Sequence, residues 1–285
     1  MRAHLPDFEL VVAADLPSAL SLLGNGESWR PMAGGTDLMV LFNAGRLPYR
    51  KLVSIAKIAE LNGITVSPDS ITIAAGTTYS VIQRNPILKA EFPLLCQAAN
   101  WTGSPANQNR GTIGGNIANA SPAADTPPAL LVYDAELELI SAKGSRRIPY
   151  HQFHTGYKAM QMRPDELLMK IHLPRSHHSL KQYARKVGTR KAQAISKVCF
   201  NGTAQMDGSV ITSIRIGIGS VAPIPLRCHQ VETALTGQTL TPTLISHARE
   251  VVAQEIKPID DIRSTSQYRS LVTQNLLSEF LRQLL

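Results

Sequence analysis

Three cysteines in 285 residues, Cys96, Cys199 and Cys228, are too few and too far apart for a disulfide framework or a C-x-x-C redox pair. They also fall short of the four thiolates that hold a typical iron–sulfur cluster, so any cluster must sit in a partner. The eight histidines show no H-x-x-x-H spacing. His177 and His178 are adjacent, but in a stretch of turn formers, which argues against a metal site. No window approaches the roughly 20 apolar residues of a membrane span. Met1 to Pro6 runs into Asp7 and Glu9 rather than a long apolar stretch, so no secretory signal and a cytoplasmic location are expected. There is no G-x-G-x-x-G opening a helix and no phosphate loop ending in Gly-Lys-Ser/Thr, which removes the two commonest nucleotide signatures. Ser121 lacks the G-x-S-x-G surroundings of a hydrolase nucleophile.

What remains is an ordinary globular composition, 44% hydrophobic and 18% charged, at a length that favours two domains. The net charge of +8 is spread over Arg110, Lys143 to Arg147, Lys181 to Lys191 and the C-terminal segment. It forms no basic stripe interleaved with aromatics, so nucleic acid is not the expected partner. A solvated surface with one or two docking patches, for anionic NAD or an acidic subunit, suits it better.

Two glycine-rich segments stand out: Met32-Ala33-Gly34-Gly35-Thr36-Asp37 and Gly111-Thr112-Ile113-Gly114-Gly115-Asn116-Ile117. A glycine pair allows positive φ and lets bare amide groups converge on an anion, here a diphosphate. Asn119 to Asp125 follows the second segment, and its acid can accept hydrogen bonds from a ribose. Each feature also has an ordinary reading. A glycine pair alone is more often a turn, Asp37 can cap a helix beginning near Leu38, and Asp125 can cap one beginning near Pro127. Arg110 can neutralise phosphate or simply face water. Taken together, two loops and an acid suggest a dinucleotide.

Periodicity and punctuation predict helices from Asp15 to Gly24, Thr78 to Arg84, Pro93 to Ala99 and Pro127 to Val132. Strands are expected at Arg30–Met32, Lys51–Ile55, Ile71–Ala75 and Glu166–Leu173, with a hairpin formed by Glu136–Ser141 and Arg147–Pro149. The run from Arg175 to Ser179 reads as a linker between a domain of residues 1–175 and one of residues 180–285. Beyond it come strands at Lys181–Val187, Ala194–Met206 and Val210–Gly219, then two helices, one capped at Thr241-Pro242 and a last one around Tyr268 to Leu284.

The motifs Ala33-Gly34-Gly35-Thr36-Asp37, Thr112-Ile113-Gly114-Gly115-Asn116 with Ser121-Pro122 and Asp125, and Lys186-Val187-Gly188-Thr189-Arg190-Lys191-Ala192 resemble the FAD-binding subunits of molybdenum hydroxylases. Asp261-Ile262-Arg263-Ser264 with Tyr268-Arg269 extends the resemblance almost to the end of the chain. Phe92 to Cys96 and Phe153 to Gly156 look most like bacterial xanthine dehydrogenase FAD subunits. The resemblance implies an α+β architecture, with a vanillyl-alcohol-oxidase-like (PCMH-type) FAD domain followed by a small C-terminal domain of antiparallel sheet and helices. It implies that Arg30, Pro31, Met32, Ala33, Gly34, Gly35, Thr36 and Asp37 wrap the pyrophosphate and ribityl region. Thr112, Gly115, Asn116, Ala118, Ala124 and Asp125 would hold the rest of the nucleotide, and Leu168 and Lys186 would approach the flavin ring. No residue is expected to be catalytic. FAD should be non-covalent, since neither His nor Cys lies between Arg30 and Asp37. Electrons would come from a molybdopterin-binding large subunit and an iron–sulfur small subunit, in a dimer of heterotrimers, and leave to NAD or another acceptor. The competing readings are a self-contained flavin oxidoreductase and a cofactor-free interaction module of the same fold.

Overall fold

The structure is a computed structural model that describes residues 7–175 and 180–285. The predicted linker, including His177 and His178, lies largely outside the described residues, as does the segment before Asp7.

The chain begins with β1 (Glu9–Val12), α1 (Leu16–Gly24), β2 (Arg30–Met32), α2 (Leu38–Asn43) and β3 (Lys51–Ser54). The three strands form a parallel sheet in the order β1-β3-β2. Asp15 starts α1 through a reciprocal capping box with Ser18, whose amide donates to the Asp15 carboxylate at 2.8 Å. Helix α1 lays Leu16, Ala19, Leu20 and Leu23 on a small core with Trp29, Val53 and Ile58.

Next come β4 (Ile64–Val66), β5 (Ser70–Ala74) and six short helices: α3 (Tyr79–Arg84), α4 (Pro86–Glu91), α5 (Pro93–Trp101), α6 (Pro105–Gln108), α7 (Ile113–Ala118) and α8 (Thr126–Val132). Pro86 does stop α3, but it also begins α4. The Asn85 side chain accepts the amides of Ile87 and Leu88, both at 3.0 Å, so one residue ends one helix and caps the next. Strands β6 (Glu136–Ser141) and β7 (Gly144–Pro149) form the expected hairpin. They are followed by a two-stranded turn, β8 (His154–Gly156) with β9 (Ala159–Met160), and by β10 (Leu167–Pro174). β10 returns to the centre of a five-stranded antiparallel sheet ordered β4-β5-β10-β6-β7. One face of that sheet packs Ile71, Ile73, Leu137, Leu139 and Ile171 against α5, α7 and α8.

The C-terminal part is a four-stranded antiparallel meander of β11 (Lys181–Val187), β12 (Val198–Asp207), β13 (Val210–Gly219) and β14 (Leu226–Arg227). It is covered by α9 (His229–Leu235), α10 (Pro242–Glu255) and α11 (Ser266–Arg282). β12 begins four residues later than the sequence suggested. Ser196 is drawn towards Asp125, and the Lys197 amide donates to Val187 O at 2.8 Å, so residues 188–197 form a connector instead of strand.

Helix α8 joins the two parts, with all seven of its residues buried. A Cβ on Gly217 of β13 would collide with the Pro128 carbonyl oxygen, which shows how closely strand and helix backbones approach. An acid stands at each end of α8. Asp125 takes Lys186 Nζ at 2.7 Å, while Asp134 takes Arg215 Nε at 2.5 Å and Arg227 Nη1 at 2.8 Å.

Candidate functional site

A cleft of about 420 Å³ opens where the parallel sheet, the antiparallel sheet and the 188–197 connector meet. The first glycine segment leaves the carboxyl end of β2 and turns into α2, a strand–turn–helix passage at the end of a parallel strand where α/β folds commonly seat ligands. None of the backbone amides of Ala33, Gly34, Gly35, Thr36, Asp37 and Leu38 finds an acceptor among the described residues. These six neighbouring donors belong to residues that line the cleft and are left to water or to a ligand, because an amide without any partner is costly. Gly35 makes the turn possible with φ +73°.

The second glycine segment behaves differently from the sequence expectation. It is helix rather than loop, and its amides are used internally. Ile113 donates to Thr77 O at 3.1 Å, Gly114 to Ala75 O at 2.8 Å, and Gly115 to the capping Thr112 Oγ1 at 3.1 Å. Gly114 is a packing glycine, since an added Cβ would lie 2.5 Å from Ala75 Cβ. Gly34 is one too, because its Cβ would run into the Arg110 carbonyl. The two segments therefore press on each other, and Arg110 Nε donates across to Gly34 O at 3.4 Å. Only Gly115 faces open space apart from its own cap, its Cβ meeting nothing but Thr112 Oγ1, at 3.0 Å.

Of the residues expected at the site, Arg30, Pro31, Ala33, Gly34, Gly35, Thr36, Asp37, Thr112, Gly115, Asn116, Ala118 and Leu168 line the cleft. Met32, Ala124, Asp125 and Lys186 are not in its wall. Asp37 occupies the N-cap position of α2 without a side-chain cap bond; its Oδ1 accepts from Asn119 Nδ2 at 3.2 Å. Asn119 is held by Lys158, whose Nζ donates to its carbonyl and side-chain oxygens at 2.7 Å each. Burial pulls the Lys158 ammonium below its usual pKa, with Asp37 opposing and Arg30 adding to the fall.

Asp125 and Lys186 satisfy each other. The Asp125 carboxylate takes Lys186 Nζ on one oxygen and Ser196 Oγ, at 2.6 Å, on the other; Lys186 also donates to Trp101 O at 3.0 Å. Asp125 therefore does not cap α8 with its side chain. Burial pushes its carboxyl pKa up, against the pull of Lys186 and Ser196. Tyr79, Asn107, Met162 and Ile195 also line the cleft and carried no sequence signal of their own. Burial, with the Asp125 charge behind it, pushes the Tyr79 phenol pKa up. No histidine or cysteine is found in the cleft wall among the described residues, nor is there any cluster of three metal-ligating side chains. No helix among them is long and apolar enough to cross a membrane.

A family described as "FAD binding domain in molybdopterin dehydrogenase" matches residues 6–176, and one described as "CO dehydrogenase flavoprotein C-terminal domain" matches residues 183–284. The chain is 32% identical over 275 residues to a putative xanthine dehydrogenase FAD-binding subunit of Escherichia coli, covering 94% of each chain. It is 31% identical over 271 residues to the glyceraldehyde dehydrogenase medium chain of Sulfolobus acidocaldarius, covering 95% of this chain and 96% of that one. Among solved structures, it superposes on a chain of carbon monoxide dehydrogenase from Hydrogenophaga pseudoflava with a TM-score of 0.93 at 27% identity, covering 97% and 96% of the two chains.

Proposed function

Because this chain belongs to the family of FAD-binding subunits of molybdenum hydroxylases, we propose that its cleft holds non-covalent FAD and relays electrons from an iron–sulfur subunit to NAD. The observation that carries this reading is the run of six amides from Ala33 to Leu38 without a protein acceptor. These amides suit the diphosphate. Thr112, Gly115, Asn116 and Ala118 offer the facing wall for the remainder of the nucleotide, and Leu168 with Ile195 an apolar seat for the ring. Asp125 and Lys186 support the cleft from behind, their charges compensating each other. Bound FAD supplies a carrier that takes electrons singly and passes on two. The protein's share is to bind and orient it and to keep one side open.

Oxidation of the organic substrate belongs, in this reading, to a separate molybdenum subunit. Xanthine or hypoxanthine leads as the substrate because a putative xanthine dehydrogenase subunit is 32% identical over nearly the whole chain. Subunits named for glyceraldehyde and carbon monoxide dehydrogenases match at similar coverage, so the electron acceptor is the part of the reading that this polypeptide itself can test. Purified protein should titrate with FAD to one equivalent, show flavin absorption, release the cofactor on acid treatment, and be bleached by NADH under anaerobic conditions. Absence of FAD binding at excess cofactor would overturn the cofactor assignment. Bound FAD that NADH leaves oxidised would overturn NAD as acceptor.

A further inference from the structure

The small β8–β9 hairpin pairs with no other strand among the described residues. Its side chains converge instead on one end of α7, the helix that brings Gly115, Asn116 and Ala118 to the cleft wall. His154 Nε2 donates to Ile117 O at 3.0 Å, and Lys158 Nζ takes both oxygens of Asn119, the residue that ends α7. A helix C-terminus leaves carbonyls without intrahelical donors, and the hairpin supplies them.

The contact continues to the first glycine segment. An ammonium only donates, so Asn119 must turn Oδ1 to Lys158 and Nδ2 away from it. Nδ2 donates to Asp37 Oδ1 at 3.2 Å, across 82 residues of sequence. Asp37 holds the N-cap position of α2, where an aspartate commonly turns its carboxylate onto the amides that follow. Here it makes no such bond and faces Asn119 instead.

The backbone at Lys158 is a second observation. Gly156 and Ala159 are partners in the hairpin register, so Tyr157 and Lys158 form a two-residue turn. Lys158 has φ +57°, the left-handed region where glycine or asparagine is the ordinary choice. Burial works against its ammonium charge, Asp37 supports that charge and Arg30 opposes it. A strained residue kept beside a ligand cleft is a reason to look for a task that glycine cannot perform.

We propose that Lys158 is a positioning residue for the cofactor: through Asn119 it holds the Asp37 carboxylate aside and offsets its charge, so that the neighbouring amides accept a diphosphate. The proposal rests on the reading of the cleft as an FAD site. A loose carboxylate beside those amides would repel a diphosphate and compete with it for the same donors. Without Lys158 nothing else among the described residues fixes the Asn119 side chain on that side. Its amide can then turn, set an oxygen against Asp37, and release it.

The test titrates full-length, FAD-stripped protein with FAD by flavin fluorescence and follows thermal unfolding without cofactor. Lys158→Gly suits the left-handed backbone, so it should keep or raise the unfolding temperature while weakening FAD binding about tenfold, the scale of a lost charge-assisted hydrogen bond. Lys158→Met keeps the strain, loses the ammonium, and should weaken FAD to the same extent. Adding Asp37→Asn to either variant should recover most of the loss, because a neutral amide no longer repels the diphosphate. Wild-type FAD affinity in both Lys158 variants would overturn the proposal. So would losses at Lys158 and Asp37 that simply add, since Lys158 would then not act through Asp37. A fall in unfolding temperature that tracks the FAD loss in Lys158→Gly would also overturn it, by reducing Lys158 to a support of the fold. Wild-type protein that binds no FAD would overturn the cofactor reading, and this role with it.

Discussion

Gly34 and Gly115 look interchangeable in the sequence, yet they meet different surroundings. Gly34 lies against the Arg110 backbone, whereas Gly115 meets only its own cap. Gly34→Ala should therefore destabilise the fold by about 1–3 kcal/mol through overpacking, measured by thermal denaturation of the FAD-free protein. Gly115→Val should leave that transition nearly unchanged and lower FAD affinity, measured by flavin titration. Equal losses of stability would show that the two glycines do the same job.

Glu166 offers a pH test at the same scale. Its buried carboxylate accepts Arg146 Nε at 2.6 Å and the Arg163 amide at 2.7 Å, and Arg163 Nη2 lies 3.0 Å away. Burial alone would raise its pKa, but the bonds from Arg146 and Arg163 outweigh it and hold the carboxyl below its usual value. A carboxyl with a depressed folded pKa contributes stability above its unfolded pKa of about 4.3, and that contribution is lost as pH falls through the folded value. Glu166→Gln should cost about 1.5 kcal/mol at pH 7, because charge-assisted hydrogen bonds are lost while the half-exposed Arg146 and Arg163 stay hydrated. The gap from wild type should close below about pH 4. A gap independent of pH would assign the loss to packing instead.

At the scale of elements, α8 and its two acids form the joint of the molecule. Lys186→Met would leave the Asp125 carboxylate buried without its cation, at a cost of about 3–5 kcal/mol. With its pKa already raised by burial, Asp125 would bind a proton to escape that cost, so the penalty should grow as pH rises above about 4. Asp125→Asn in the Lys186→Met background should recover part of the loss, and a double-mutant cycle measures how much. Strict additivity would mean that the pair observed at 2.7 Å carries no coupling. The second glycine segment teaches a related lesson. From sequence it resembles a loop, because helical glycine is disfavoured. Thr112 starts the helix with its hydroxyl on the Gly115 amide, and the close pass of Ala75 requires glycine at 114. The glycines mark crowding there, a cause that depends on a partner strand far away in the chain.

At the scale of the whole molecule, polypeptides 1–175 and 180–285 produced together should co-purify, because the buried helix α8 and the bonds of Asp125 and Asp134 span the junction. Adding Asp134→Ala and Lys186→Met should separate them on size-exclusion chromatography. Halves that separate without those substitutions would show that the chain connection, rather than the interface, holds the parts together.

Local chemistry made much of this legible in advance. The capping box at Asp15, the β6–β7 hairpin, the Thr241-Pro242 helix start and the turn into α2 each depend on residues a few positions apart, so the sequence alone determines them. Three absences also belonged to the sequence: too few cysteines for a cluster, no common phosphate motif, and no apolar run of membrane length. Tertiary structure decided which glycines face a ligand and which face a neighbouring backbone. It bound Asp125 to Lys186, 61 residues away, instead of leaving each on the cleft wall. It also brought Tyr79, Asn107 and Ile195 to one cleft. These outcomes depend on long-range approach, and a carboxylate and an ammonium buried together must find each other because neither can remain charged alone away from water.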